Sequence, residues 1–129
     1  MIKRSAVFVA FYCAIMAIAG CSLFNTGPSS VVKKFFYSVE AGKTEDAINL
    51  LSTETKQMFG GKFNAYIAQQ TVDIKKKGGI ASIETQESIT GDTARVTYTV
   101  TYGDGSTEEG KNDLIKQDGK WKMTVSMNK

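Results

Sequence analysis

The sequence contains no histidine, only two cysteines and a single proline in 129 residues. Without histidine, the chain lacks Ser-His-Asp and Cys-His catalysis, the usual zinc ligand sets and the commonest general base near neutral pH. Cys13 lies inside an apolar N-terminal stretch and Cys21 lies just after it. If that stretch is removed, the mature chain keeps Cys21 alone and forms no internal disulfide.

The chain also lacks a strong charge of one sign. It has 16 basic and 13 acidic side chains, and removing Lys3 and Arg4 from the count leaves 14 against 13. A nucleic-acid binder needs a concentrated basic face, so we expect no nucleic-acid partner. The run Lys75-Lys76-Lys77 precedes Gly78-Gly79 and is typical of a helix end, where cations offset the helix dipole. Binding of anionic lipid or nucleic acid is the alternative interpretation of this run.

The first twenty residues have the pattern of an export signal. A positive start, Met1–Arg4, precedes an apolar run over 5–16 that is too short to span a bilayer. The following Ile18-Ala19-Gly20-Cys21 resembles the lipobox of bacterial lipoproteins. The resemblance implies cleavage between Gly20 and Cys21 and attachment of acyl chains, palmitate among them, to Cys21. An ordinary signal cleaved after Ala19 or Gly20 is the alternative.

These features predict three segments: a signal peptide over 1–20, a lipidated N-terminus and tether over 21–30, and one domain over 31–129. Two or more acyl chains give stable anchoring, so we expect a membrane-attached protein of the cell envelope. Ser22 stands where an aspartate would retain a Gram-negative lipoprotein in the inner membrane. Its presence favours the outer membrane, facing the periplasm or the surface, if the organism is Gram-negative.

The first half of the domain has helical spacing. Ser29 or Ser30 is the predicted N-cap of a first helix that ends at Gly42, and Thr44 is predicted to cap a second. A third stretch runs to Gly78-Gly79 and is interrupted at Gly60-Gly61, which predicts two pieces or one kinked helix.

From Ile80 the apolar period changes to two, which predicts strands. Gly91-Asp92, Asp104-Gly105 and Asp118-Gly119 separate four strand-like runs and are typical of hairpin turns. We therefore expect an α+β domain in which helices pack against a curved four-stranded antiparallel sheet.

Several segments resemble a known superfamily. They are Val31-Val32-Lys33-Lys34-Phe35-Phe36, Ala47-Ile48-Asn49-Leu50-Leu51-Ser52, Gly91-Asp92-Thr93-Ala94-Arg95-Val96, Tyr102-Gly103-Asp104-Gly105-Ser106 and Asp118-Gly119-Lys120-Trp121-Lys122-Met123. Their order resembles bacterial lipoproteins that carry a domain of unknown function of the nuclear-transport-factor-two-like, or cystatin-like, superfamily. The resemblance implies a cone-shaped fold with a pocket between helices and sheet, and no established activity.

Four aromatic residues are candidates for that pocket: Tyr66, Tyr98, Tyr102 and Trp121. They could line a cavity for a small hydrophobic or lipid-like ligand. The alternative is ordinary packing, because inward aromatic residues of a strand usually form core. Tyr98 and Trp121 are expected to face the helices in either case.

No catalytic residue, metal site or cofactor is expected. Asp73, Glu84 and Glu87 fall at positions that the periodicity assigns to the outer, polar surface, where no carboxylate is tuned by burial. We therefore expect a membrane-anchored lipoprotein whose domain binds or interacts without enzymatic activity. The alternative is a pocket protein for a hydrophobic ligand, with weak catalysis.

The polar face of the strand over 93–102 is the predicted interaction surface. It carries Arg95, Thr97, Thr99 and Thr101, and it could contact an envelope protein partner or a second copy of the chain. A solvated face without a partner is the alternative.

Overall fold

A computed structural model describes residues 27–125, which form an α+β fold with the helices first and the sheet second. Within this range the chain contains four helices and four strands. The helices are α1 Pro28–Glu40, α2 Thr44–Asn49, α3 Thr53–Phe59 and α4 Lys62–Lys76. The strands are β1 Ile80–Thr90, β2 Thr93–Tyr102, β3 Thr107–Gln117 and β4 Lys120–Thr124. Cys21 and Gly20, the predicted lipidation and cleavage residues, lie outside the described residues.

Helix α1 begins slightly earlier than the sequence predicts. Gly27 is its N-cap and Pro28 is its first helical residue, so the prediction of Ser29 or Ser30 as the cap is wrong. Proline is favoured at the first helical position because its φ angle suits the helix and its missing N–H has no intrahelical partner there. Gly42, with φ of 74°, follows the helix as predicted and reverses the chain toward α2.

The next three helices are short and depend on specific caps and breaks. Thr44 is the first residue of α2 rather than its cap, which is Lys43. Ser52 caps α3, because its buried hydroxyl accepts a hydrogen bond from the Thr55 amide at 3.2 Å. The helical stretch is interrupted at Gly60-Gly61 and forms two separate helices, α3 and α4. Of the two predicted alternatives, two pieces is therefore correct and one kinked helix is not.

The four strands form one antiparallel sheet in the order β1-β2-β3-β4. The three predicted hairpin turns are confirmed at the connections between successive strands. In the last turn, Asp118 and Gly119 have φ of 52° and 76°, which is the two-residue geometry that matches the twist of paired strands. β4 is the shortest strand and pairs only with the segment 113–117 of β3.

The helices cover one side of the sheet, which we call its inner face, and the core lies between them. Two clusters of buried apolar side chains fill this space, one near β4 and one near β1. Phe35, Phe36, Phe63 and Tyr98 pack against both clusters and join them. On its free edge, β4 is held by the segment after α2: the Ser52 amide donates to the Met123 carbonyl at 2.7 Å.

Among residues 27–125, no helix has the length and apolar content needed to span a bilayer.

Candidate functional site

A large cavity opens where β4 stops short of its neighbour. β4 ends at Thr124, whereas β3 continues for six residues beyond the end of their pairing, over 107–112. The resulting gap lies between this part of β3 and the helices α3 and α4. It encloses about 710 Å³ and is called here the outer chamber. Its apolar lining comes from Phe35, Leu51, Phe59, Phe63, Tyr66, Met123 and Val125.

The aromatic wall of the outer chamber is built by the helix break at Gly60-Gly61. The break places the end of α3 beside the start of α4, so that Phe59 and Phe63 meet edge to face with ring centres 5.1 Å apart. Phe63 in turn meets Tyr66 at 5.6 Å. Phe59 and Tyr66 remain 36% and 54% exposed. The chamber therefore presents aromatic surface that the protein's own core does not cover.

A smaller cavity of about 100 Å³, the inner recess, adjoins the outer chamber. Both cavities are lined by Phe35, Tyr66, Asn112 and Met123. The recess extends along the inner face of the sheet, under α1 and α4. Its lining is more polar and includes Gln70, Tyr98, Tyr102 and Glu108.

The polar side of the recess comes from β3. Glu108, Gly110 and Asn112 stand opposite Val100, Tyr98 and Val96 of β2, which places all three β3 residues on the inner face. The Tyr102 hydroxyl donates a hydrogen bond to Glu108 Oε1 at 2.6 Å. Burial, together with this bond to the carboxylate, raises the pKa of Tyr102 well above its usual value. This phenol therefore stays protonated as a donor to Glu108.

Tyr98 occupies its position because its cross-strand neighbour has no side chain. A Cβ at Gly110 would collide with the Tyr98 hydroxyl and ring. The phenol ring lies over the β3 backbone and also packs on Phe36, with ring centres 4.9 Å apart. Burial, followed by the nearby charge of Glu108, raises the pKa of Tyr98. Gly110 thus makes room for a second protonated phenol on the inner face.

Asn112 has an unsatisfied buried atom. Its Oδ1 is inaccessible and has no hydrogen-bond partner among the described residues. A buried acceptor in this state costs about 1–3 kcal/mol, and native proteins rarely leave one unpaired. Asn112 lines both cavities, so a turn of its side-chain amide would expose this oxygen to a donor in either cavity.

Part of the outer chamber's lining is basic. Lys62 at the start of α4 lines it, as do Lys111 and the Arg95–Asp113 ion pair of the sheet, with Arg95 Nε 2.8 Å from Asp113 Oδ1. Lys111 and Asp113 belong to the outer face of the sheet, since their side-chain positions alternate with those of Asn112 and Leu114. Cationic side chains therefore line the outer chamber, whereas none of the described residues that line the inner recess is cationic.

The four predicted pocket residues lie in different places. Tyr66 lines both cavities, while Tyr98 and Tyr102 line the inner recess. Trp121 lines neither; it is 8% exposed in the core near β4, with Lys116 Nζ 5.3 Å from its ring centre. Its position next to the β3–β4 turn, away from the open end of β4, explains the difference.

One carboxylate lies on the other face from the one predicted. Glu87 stands opposite Val96, so it belongs to the inner face, and it accepts a hydrogen bond from the Ser29 amide at 3.1 Å. The prediction of an outward Glu87 is wrong because β1 lacks regular apolar alternation at that end. Glu84, opposite Thr99, faces outward as expected. Asp73 accepts from Gln69 Nε2 at 3.0 Å on α4.

The predicted interaction surface forms a continuous strip on the outer face of β2. Arg95 is held in its pair with Asp113, and the Thr97 hydroxyl contacts the Gln86 carbonyl at 3.4 Å. Thr97 is exposed and Thr99 and Thr101 are partly exposed. A partner for this strip stays a prediction.

Sequence reasoning missed Glu108, Gly110 and Asn112. β3 shows no apolar alternation in this part, so periodicity does not predict which of its residues face the core. The turn at Asp104-Gly105 held the missing information, because a hairpin turn sets which residues of two strands stand opposite each other. Counting back from the turn places Glu108 beside Val100 and Asn112 beside Val96, both on the buried side.

Known proteins share this fold. A structure from Campylobacter jejuni, provisionally named an NTF2-like transpeptidase, superposes with a TM-score of 0.68 at 21% identity, over 78% of this chain and 99% of that one. A SEC-C motif containing protein from Rhodopseudomonas palustris superposes with a TM-score of 0.57 at 11% identity, over 78% and 77%. At these identities the likeness concerns the fold. No curated protein sequence matches the chain significantly. The profile of the family described as "Domain of unknown function (DUF4878)" matches residues 20–124, and the chain therefore belongs to that family.

Proposed function

We propose that this domain is a non-enzymatic binding module that holds a small apolar or amphipathic molecule in the outer chamber and the inner recess. The observation that carries the proposal is the outer chamber itself. Its volume of about 710 Å³ falls in the range of small-molecule sites, about 300–1,000 Å³, and aromatic and aliphatic side chains dominate its lining. The partly exposed rings of Phe59 and Tyr66 are apolar surface that a ligand would cover.

The same proposal places the module at a membrane surface. Export by residues 1–20 and acylation of Cys21 would attach the chain to the bilayer. Because α1 begins at Pro28, only residues 22–27 connect Cys21 to the fold. Six residues extend at most about 20 Å, so the chamber would stay near the lipid from which an apolar ligand could come.

Absence of turnover is part of the proposal and has two supports. The sequence has no histidine, and the acids at the cavities are bonded to neighbouring side chains: Glu108 accepts a hydrogen bond from Tyr102 and Asp113 pairs with Arg95. Acid–base or nucleophilic catalysis requires a tuned base or an activated nucleophile, and neither cavity is lined by a cysteine or a histidine among the described residues. The word transpeptidase in the name of the Campylobacter jejuni protein describes that protein.

A comparison of two variants tests the binding. Tyr66→Asp places a charge inside the apolar chamber, whereas Val72→Asp places the same charge on α4 at a residue that lines neither cavity and is 45% exposed. We expect native mass spectrometry of the full protein, extracted from membranes, to show a bound amphipathic molecule on wild type and on Val72→Asp. Tyr66→Asp should retain roughly tenfold less, because an unpaired charge in an apolar site is costly.

Equal retention by the two variants, or no bound molecule on the wild-type protein, would contradict the binding proposal. The anchor is tested separately with Cys21→Ala. That variant should lose acyl labelling and remain unprocessed, and unchanged labelling would rule out the lipoprotein interpretation.

A further inference from the structure

We propose that the inner recess is a polar subsite for a hydrogen-bond-donating hydroxyl group, so that the ligand is a neutral amphiphile with an alcohol end that enters first. This inference rests on the proposed function and specifies its ligand class. Three observations carry it: the unpaired Asn112 acceptor, a second acceptor on the β3 side of the recess, and the distribution of charge between the recess and the outer chamber.

The first observation is the unpaired acceptor. Asn112 Oδ1 is fully buried, lacks a partner among residues 27–125, and belongs to a side chain that lines both cavities. The empty protein has already met the cost of removing this oxygen from water. A donor that bonds to the oxygen therefore lowers the free energy of the protein. Once the amide turns toward the cavity, a ligand that supplies an O–H to this oxygen therefore gains more than the same bond would give at the surface.

The second observation is a further acceptor, Glu108, on the β3 side of the recess. Glu108 lies four residues before Asn112 on the same inner face of β3, and the Tyr102 hydroxyl bonds to one of its two carboxylate oxygens. A carboxylate has about four lone-pair sites, so Glu108 keeps acceptor capacity after this bond. A ligand hydroxyl, which donates once and also accepts, can serve either residue.

The third observation is the separation of charge. Lys62, Lys111 and Arg95 line only the outer chamber, whereas Glu108 lines only the recess. An anionic end would meet the Glu108 carboxylate inside the narrow recess, and like charges at short range repel each other. A fatty acid would therefore not place its carboxylate in the recess, and a neutral alcohol end fits where a carboxylate does not.

Three probes with similar alkyl chains test the inference. 1-Octanol can donate a hydrogen bond, 1-methoxyoctane can only accept one, and octanoate carries a negative charge. Binding is measured by titration calorimetry on the mature lipidated protein in lipid nanodiscs, with empty nanodiscs as the blank. We expect 1-octanol to bind about tenfold more tightly than 1-methoxyoctane, equivalent to about 1.4 kcal/mol, and octanoate to bind no better than the ether.

Asn112→Leu should remove the preference for the alcohol while leaving binding of the ether within about twofold. The same variant should raise the unfolding midpoint of the empty protein, since a buried unpaired acceptor is replaced by an apolar group of similar size. Asn64→Leu is the control, because Asn64 is exposed on α4 and lines neither cavity. It should keep the preference for the alcohol.

Equal binding of all three probes by the wild-type protein would overturn the subsite and leave the binding module standing. Binding of no probe would overturn both. Should Asn112→Leu fail to fold, the wild-type ratio of alcohol to ether decides alone. An alcohol preference that survives Asn112→Leu would also overturn the role given to Asn112.

Discussion

The inner faces of β2 and β3 lie side by side and differ over most of their length. β2 places Ala94, Val96 and Val100 inward, all buried in the core. Their neighbours on β3 are Leu114, Asn112 and Glu108, of which only Leu114 is apolar. The apolar pairing thus ends where β4 ends. Beyond that point, the helices cover polar side chains and a cavity.

The difference shows how a small domain can be stable and still keep a cavity. Burial of apolar side chains, those of β2 among them, stabilises the fold by about 25 cal/mol per Å² of apolar surface. The polar strand contributes little to this stabilisation, so its side chains are free to suit a ligand. We call the part of the inner face near β4, with Ala94, Leu114 and Trp121, its apolar half, and the part with Glu108, Gly110 and Asn112 its polar half. The predictions below alter these two halves.

The largest effect is expected from the apolar half. Trp121→Ala removes a buried ring from the core cluster near β4 and should lower the free energy of unfolding by about 3–5 kcal/mol. Denaturant titration measures this change. Phe59→Ala, at the partly exposed chamber wall, is the control and should cost less than half as much. A Trp121→Ala cost below about 0.5 kcal/mol would show that β4 does not belong to the core.

A smaller effect is expected at the contact between Tyr98 and Gly110. Gly110→Ala introduces a Cβ that overlaps Tyr98, so we expect a loss of about 1–3 kcal/mol from overpacking. In the Tyr98→Ala background the same change should cost much less, since the overlapping atoms are gone. The two costs define a double-mutant cycle. Additive costs would contradict the contact between Tyr98 and Gly110.

The smallest effect concerns the polar half alone. Tyr102→Phe removes the donor to Glu108 and should cost about 1–2 kcal/mol at pH 7. Because the pKa of Tyr102 is raised in the folded state, the unfolded chain loses this proton first as pH rises. The stabilisation is therefore complete below about pH 10, the unfolded pKa, and declines above it.

Urea titrations at several alkaline pH values measure this decline. Wild type should lose stability more steeply above about pH 10 than Tyr102→Phe does. Tyr37→Phe removes an exposed hydroxyl from α1 and is the control; it should follow wild type. Identical slopes for all three proteins would contradict the buried phenol–carboxylate pair.

Periodicity and turn residues predicted most of the fold. Regular apolar spacing in α1 and alternation in β2 gave the helices and the central strand, and three Gly-containing turns gave the antiparallel order. The start of α1 was missed because two serines after Pro28 resemble caps, while proline itself occupies the first helical position.

The cavities were harder to predict for a physical reason. Tyr66, Tyr98 and Tyr102 were named from their aromatic character, which does not separate core from pocket. Trp121 has the same character and is core. The cavity opens because β4 is shorter than β3 and because the pairing of β3 with β2 places polar residues of β3 on the inner face. Both depend on pairing between strands, which apolar spacing within one strand does not report.

The central claim is that the polar half of the inner face binds a small amphiphile. Photolabelling with an alkyl alcohol that carries a diazirine, followed by mass spectrometry of labelled peptides, tests it most directly. The account predicts labels on the chamber wall, at Phe59, Phe63 and Tyr66, and their suppression by excess 1-octanol. Labels confined to the outer face at Thr97 and Thr99, or labelling that excess 1-octanol leaves unchanged, would contradict it.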